Sequence, residues 1–309
     1  MTFALVFPGQ GSQSIGMMQP FAESKVVRET FAEASDALGQ DLWQLVAEGP
    51  AEALNATVNT QPVMLTAGYA VYRSWLDQGG AQPTMVAGHS LGEYTALVAA
   101  GVIAFRDAVP LVRFRAQVMQ EAVPIGTGAM AAILGLDDQA VRDACGEAAQ
   151  GEIVEAVNFN APSQVVIAGH KSAVERGVAA CKSRGAKRAV LLPVSAPFHS
   201  SLLRPAADRL AEYLEGVTFK APVMPVVNNV DVSVIDDPAA IKSALARQAC
   251  NPVRWVEVIR RMKEAGVTYV GECGPGKVLA GLVKRIDSAM QGLAIADPQG
   301  VSDALGTLK

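Results

Sequence analysis

Short apolar runs alternate with longer stretches of helical periodicity along most of this chain. Ala4–Phe7 (ALVF) and Thr84–Ala87 (TMVA) are too short for helices and read as buried strands. Between them, Val26–Leu38 and Pro62–Gln78 repeat apolar positions at the three- and four-residue spacing of amphipathic helices. After the second strand, Leu91–Ala100 (LGEYTALVAA) reads as a helix with Gly101 placed to stop it. Strands alternating with helices in this way predict an α/β fold, a parallel sheet covered on both faces.

The rhythm changes after Gly126-Thr127-Gly128. Ala129–Leu136 is a strand and Asp137–Ala149 a helix that begins on acidic residues. Ile153–Phe159 and Val165–Ala168 are strands on either side of Asn160-Ala161-Pro162-Ser163, a run of turn-forming residues. Ser172–Arg184 is helical again and Lys187–Val194 a strand. The order β-α-β-β-α-β is that of a ferredoxin-like unit. It predicts an inserted small domain over 125–195, with 1–124 and 196–309 forming the large domain. In the last third, Leu202–Leu214 and Pro238–Cys250 read as helices, and Val223–Asn228 as a strand. The segment Val253–Ala265 is followed by the strand Val267–Glu272, a Gly274-Pro275-Gly276 turn and the helix Lys277–Asp287.

Gly88-His89-Ser90-Leu91-Gly92 joins the second strand to its helix and fits the G-x-S-x-G nucleophile elbow. A sharp turn with closely packed backbones excludes a Cβ on either side of the serine, which accounts for both glycines. A glycine-bearing turn with an incidental serine is the plainer alternative. The flanking strand and helix favour a nucleophile, with the helix N-terminus beside Ser90 to stabilise developing negative charge.

Serine needs a base, most often histidine, and the chain has 3 histidines. His89 adjoins Ser90, where neighbouring side chains diverge, so it suits a bracing role. His170 sits between a small-domain strand and a helix start, as a solvated or capping residue. His199 lies in Ser195-Ala196-Pro197-Phe198-His199-Ser200, between a strand and a helix where the chain re-enters the large domain. That loop position makes His199 the base. Asp107, Asp137, Asp138 and Asp143 all fall at or within expected helices, so none stands out to orient the imidazole. A backbone carbonyl or an amide is the other option, leaving a Ser-His dyad.

In the helix Asp107–Glu121, positions 111, 112, 115, 118, 119 and 122 share one face, and Arg115 interrupts that apolar stripe. A guanidinium turned toward a core is costly unless paired. An internal salt bridge or snorkelling to the surface would satisfy it. Opposite a nucleophilic serine, it suggests a substrate carboxylate held bidentately. Gly9-Gln10-Gly11 follows the first strand directly; an ordinary glycine-rich turn is the plainer reading, and an oxyanion hole formed by the Gln10 N–H with the N–H of Leu91 is the functional one. Gly274-Pro275-Gly276-Lys277 lacks the spacing of a phosphate loop, leaving Lys277 a minor candidate for touching a phosphate.

Composition narrows the class. The chain has 309 residues, 50% hydrophobic and 18% charged, which suits a compact enzyme and argues against disorder. A net charge of -4 carries no nucleic-acid signature. The first residues lack a basic leader, and no apolar run is long enough for a membrane span, so the expected location is cytoplasmic. Cys145, Cys181, Cys250 and Cys273 are scattered and expected to be reduced; no zinc-type spacing exists.

Taken together, FPGQGSQ near the start, GHSLGEY, the Arg115 helix ending MQEAVP, GTGAM, PFHS, VNNVD, RQ-x-x-NPVRW and GPGKVL resemble one family over essentially the whole chain. It is the malonyl-CoA:acyl carrier protein transacylases, with the related acyltransferase domains of polyketide synthases. The resemblance implies an α/β-hydrolase-like large domain with a ferredoxin-like insertion. It implies Ser90 as nucleophile, His199 as base and Arg115 as the binder of the malonyl carboxylate. It also implies an oxyanion hole from the N–H groups of Gln10 and Leu91, and His199 oriented by the carbonyl of Gln248. Phe198, before His199, accompanies malonyl in the related polyketide domains, where serine accompanies methylmalonyl.

The implied partners are malonyl-CoA and acyl carrier protein, with no metal, organic cofactor, nucleic acid or membrane, and the chain is expected to be a monomer. Carrier proteins of this family are acidic, so Lys182, Arg184, Lys187, Arg188, Lys284 and Arg285 are candidates for docking. A serine hydrolase such as a thioesterase, a polyketide-pathway acyltransferase and a non-catalytic binding protein are the rival readings.

Overall fold

The computed structural model describes residues 2–194 and 196–308. Met1, Ser195 and Lys309 lie outside the described residues, and with Ser195 the first position of the expected histidine loop. The strands come in three groups along the chain. β1 (Phe3–Phe7) and β2 (Met85–Gly88) open it; β3 (Gly128–Leu134), β4 (Val154–Ala161), β5 (Gln164–His170) and β6 (Arg188–Leu191) follow; β7 (Val226–Val227), β8 (Tyr269–Cys273) and β9 (Gln291–Ile295) complete it.

The first and third groups form a sheet in the order β7-β2-β1-β8-β9, parallel throughout. Alternation along β1 divides the large core. Phe3, Leu5 and Phe7 point into one apolar cluster and Ala4 and Val6 into another, so both faces of the sheet are covered. The middle group forms an antiparallel sheet in the order β4-β5-β3-β6. With the helices Asp138–Ala149 and Lys171–Ser183 packed on one face, this is a ferredoxin-like arrangement. Its other face carries Met130, Val157, Val166 and Ala168 against Leu192, Val194 and Phe198.

Several elements differ from the sequence expectation. β4 runs on to Ala161, so the hairpin turns at Pro162-Ser163, with Ser163 at φ 60°. Register shifts at Ala156/Asn158 and Phe159/Ala161 skip Val157 and Asn160, and the second lets the strand absorb Asn160, which looks like a turn residue. The expected strand over Val223–Asn228 shrinks to two residues, since Pro222 and Pro225 have no N–H to give a ladder. Helices Leu42–Glu48, Ala51–Asn55 and Pro298–Thr307 and strand β9 carry periodicity too short or too polar to stand out in the sequence. Among the described residues no helix is long and apolar enough to cross a membrane. The four cysteines are buried and unpaired.

Candidate active site

The elbow sits where β2 meets the helix Gly92–Ala99. Ser90 adopts φ 52°, the left-handed region that a non-glycine residue enters only under constraint. The constraint is close packing. A Cβ on Gly88 would lie 1.9 Å from the Gly92 carbonyl carbon, and one on Gly92 would lie 2.1 Å from the Phe7 carbonyl oxygen. A Cβ on Gly9 would meet the His89 carbonyl oxygen at 2.6 Å, so the Gly9-Gln10-Gly11 loop abuts the elbow as well.

His199 reaches Ser90 from the loop between the two sheets. Its Nε2 lies 2.6 Å from Ser90 Oγ and its Nδ1 lies 2.8 Å from the carbonyl oxygen of Gln248. A carbonyl can only accept, so Nδ1 carries the hydrogen and the Nε2 lone pair faces the serine hydroxyl. Gln248 is the last residue of the helix Pro238–Gln248, and its carbonyl belongs to the partly negative end of that helix. Burial, and then the Arg115 charge, push the His199 pKa down to about 3, so the imidazole is a neutral base at neutral pH.

Arg115 is 2% exposed on the helix Phe105–Glu121. One terminal nitrogen donates to Gln61 Oε1 at 2.6 Å. The other donates to Gln248 Oε1 at 3.0 Å and Ser90 Oγ at 3.2 Å. Its Nε has no acceptor among the described residues, and the guanidinium carbon lies 5.3 Å from the centroid of the Tyr94 ring. The direct partners are neutral amides and a hydroxyl; the Glu93 carboxyl acts on the guanidinium only through space, with the Gln248 amide between them. Burial lowers the Arg115 pKa from its ordinary value. A buried cation with a free donor beside a nucleophile is built for an anion.

A cavity of about 230 Å³ opens on these groups. Ser90, His199 and Arg115 lie on its polar side with Gln10 and Leu91. Met119, Met130, Val166 and Phe198 give its apolar side. Among the described residues, no internal acceptor takes the backbone N–H of Gln10 or of Leu91. Sequence residues 10, 90, 91, 115, 198 and 199 therefore share one cavity, and Gln248 stands behind it. The other two histidines lie apart from the proton path. His89 Nε2 is 2.8 Å from Asn160 Oδ1 and its ring packs on Trp255. His170 stands at the N-cap of the helix Lys171–Ser183, as expected, but gives it no side-chain bond; its Nδ1 instead accepts from the Ile153 N–H at 2.9 Å, bracing the strand. Lys277 does not line this cavity.

Other residues had no assigned role in the sequence reading. Gln61 fixes Arg115 and also donates to Thr57 Oγ1 at 3.2 Å; Thr57 in turn donates to Gln10 Oε1 at 2.9 Å, tethering the glycine loop. Asn229, fully buried, accepts the Ser90 N–H at 2.8 Å and donates to the Gly88 carbonyl at 2.8 Å, clamping the elbow from β7's end. An amide on the buried face of an otherwise apolar helix was the available signal for Gln61. Asn229 carried none beyond its place in VNNVD.

A serine elbow, a buried histidine and a buried arginine between a parallel sheet and a ferredoxin-like unit define an acyl-transfer enzyme, and the chain belongs to the acyl transferase family, whose domain model matches residues 4–295. The malonyl CoA-acyl carrier protein transacylase of Escherichia coli (strain K12) is 59% identical over 304 residues, 98% of each chain. The acyl-carrier-protein S-malonyltransferase of Burkholderia pseudomallei 1710b has a crystal structure that superposes with a TM-score of 0.98 at 66% identity, covering 99% of this chain and all of that one. A malonyl-transacylase solved in complex with its type II PKS acyl-carrier protein superposes equally well, TM-score 0.98 at 55% identity, over 99% of this chain and 100% of that one.

Proposed function

We propose that this protein transfers malonyl from malonyl-CoA to the phosphopantetheine thiol of acyl carrier protein, by a ping-pong route through a malonyl-serine ester. His199 Nε2 takes the proton of Ser90 Oγ as the oxygen attacks the thioester carbon. The tetrahedral oxyanion is held by the N–H groups of Gln10 and Leu91, the C–S bond breaks, and His199 returns its proton to the CoA sulfur. The carrier thiol then gives its proton to His199 and attacks the ester. Collapse of the second tetrahedral species passes that proton to Ser90 and releases malonyl-carrier protein.

The imidazolium that forms in each half-reaction is stabilised by the Gln248 carbonyl. Arg115 holds the distal carboxylate of malonyl, and Phe198 borders the α-carbon region. We propose no bound cofactor, because the thioester brings its own activated acyl group. The proposed setting is the cytoplasm, with a monomer acting between two soluble partners and supplying extender units for fatty-acid synthesis.

The observation that carries this reading is the buried, carboxylate-free Arg115 within 3.2 Å of the hydroxyl that His199 activates. Plain acyl hydrolases have no use for such a cation. Mass spectrometry after brief exposure to malonyl-CoA tests it directly. A malonyl adduct on the Ser90 peptide, discharged by a carrier thiol, is expected. Rapid release of free malonate with or without the thiol would favour a hydrolase instead.

A further inference from the structure

Glu93 is a carboxylate in the first turn of a wholly buried helix, 2% exposed, and the transfer steps do not use it. Its Oε2 accepts from the Gln248 side-chain nitrogen at 2.8 Å and from the Asn229 backbone N–H at 2.9 Å. Both donors lead into the site. Asn229 holds the N–H of Ser90. The Gln248 side-chain nitrogen also donates to the Ser90 carbonyl at 3.0 Å, and its oxygen accepts from Arg115 at 3.0 Å.

The polarity of these contacts is forced from one end. The Asn229 backbone N–H can only donate and the Ser90 carbonyl can only accept, so Glu93 Oε2 is an acceptor and the Gln248 amide turns its nitrogen toward it and the Ser90 carbonyl. Its oxygen is then left facing the guanidinium. The reversed amide would set N–H against N–H at Arg115, and would leave Glu93 Oε2 and the Ser90 carbonyl facing an oxygen. The other fully buried glutamate is a useful contrast. Glu272 accepts from the Ala280 N–H at 2.8 Å and touches no group of the site. It serves a helix start alone.

We infer that Glu93 is a positioning residue for malonyl selection: it locks the Gln248 amide so that its oxygen faces Arg115 and aims the guanidinium at the substrate carboxylate. This rests on the carboxylate-binding role of Arg115 proposed above. An acetyl group makes no demand on Arg115. Loss of the Glu93 acceptor therefore acts on the choice between acyl groups, whereas general damage to the fold lowers transfer of both alike.

Transfer from malonyl-CoA and from acetyl-CoA to a carrier thiol is compared in the unaltered protein, Glu93→Gln and Glu93→Leu. Glu93→Leu, which has no acceptor, is expected to lower the malonyl-to-acetyl ratio of kcat/KM by about ten- to a hundredfold. Glu93→Gln keeps an acceptor and is expected to hold that ratio within about threefold. An unchanged ratio in Glu93→Leu overturns the inference, and so does an equally large fall in Glu93→Gln, which would assign the effect to charge. Neutron diffraction of the unaltered protein decides the matter even if Glu93→Leu does not fold. Amide deuterons directed at Glu93 support the lock, and deuterons directed at Arg115 overturn it. An unaltered protein without malonyl preference would instead defeat the assignment of Arg115, while the neutron result still reports on the amide.

Discussion

The Gln248 carbonyl oxygen lies 2.8 Å from His199 Nδ1, in the position a carboxylate occupies in a Ser-His-Asp triad. A carbonyl fixes the tautomer and offers a partial charge at a helix end without bringing a full negative charge beside the base. The base therefore stays weakly basic and buried, and the same residue's side chain remains free to hold Arg115. Gln248→Ala should separate the two duties. It keeps the backbone carbonyl and removes the amide, so acetyl transfer is expected to fall less than malonyl transfer. Steady-state kcat/KM for both acyl-CoA substrates checks this.

Arg115→Ala should be the most selective substitution in the site. Leaving a desolvated charge without its partner costs about 3–5 kcal/mol, or some two to four decades in rate. Malonyl transfer is expected to drop by that amount while acetyl transfer is spared by comparison. Equal losses for the two acyl groups would contradict the role.

The pH behaviour of His199 follows from a pKa lowered from 6.5 to about 3 by burial and by Arg115. The unfolded chain takes up this proton at higher pH than the folded one. Between those values stability rises with pH, and this contribution is lost as pH falls toward the folded pKa. The acid limb of kcat/KM is expected well below the usual imidazole range, and a limb near 6.5 would place the base elsewhere.

Glu272 carries the opposite sign. Burial raises its pKa from 4.5 to about 7, so its contribution is fully present below the unfolded value and is lost as pH rises through the folded one. Glu272→Gln should thus gain thermal stability relative to the parent on moving from pH 5 to pH 8. Melting curves at both values measure the difference. A constant offset would mean the carboxyl is not protonated in the fold.

The elbow's tolerance is set by space. Gly92→Ala places a methyl 2.1 Å from the Phe7 carbonyl oxygen, and the forced shift is expected to cost about 3 kcal/mol along with activity. Gly146, inside the helix Asp138–Ala149, meets nothing within 4 Å of a built Cβ. Gly146→Ala should stabilise by about 0.5–1 kcal/mol. Chemical denaturation of the pair tests the packing argument with its own control.

Carrier docking offers a surface test. Lys182, Lys187 and Arg188 are exposed on the small unit, whereas Arg184 is paired with Glu147 and Arg285 donates to Gln164 at 2.6 Å. Charge reversal at Lys187 and Arg188 should raise KM for an acidic carrier protein, with the effect shrinking at high salt and KM for malonyl-CoA less affected. Salt-independent docking would remove the electrostatic argument.

Local signals made part of the site legible. Ser90 stood out because its glycine frame has one steric reason, His199 because its loop joins a strand to a helix, and Arg115 because helical spacing put a cation on an apolar face. The wider fold was readable where apolar runs were compact, as in β1, and unreadable in β9, where Gln291 and Gly292 dilute the pattern. Gln61, Asn229 and Glu93 escaped because their roles exist only after distant segments meet. Glu93 had a signal nonetheless: an acid inside LGEYTALVAA has no surface to reach and must answer to something inside the protein. Gln248 entered by resemblance alone, since a backbone carbonyl leaves no trace in side-chain chemistry.

The apolar face of the antiparallel sheet, with Met130, Val166 and Phe198, borders a cavity whose reactive groups Ser90 and Arg115 stand on elements of the parallel one. The apolar border of the cavity is consequently set largely by one module, whereas the cation and the hydroxyl are set by the other. Substitutions at Met130 or Val166 can therefore reshape the room beside the acyl group while Ser90 and Arg115 stay where the larger module holds them.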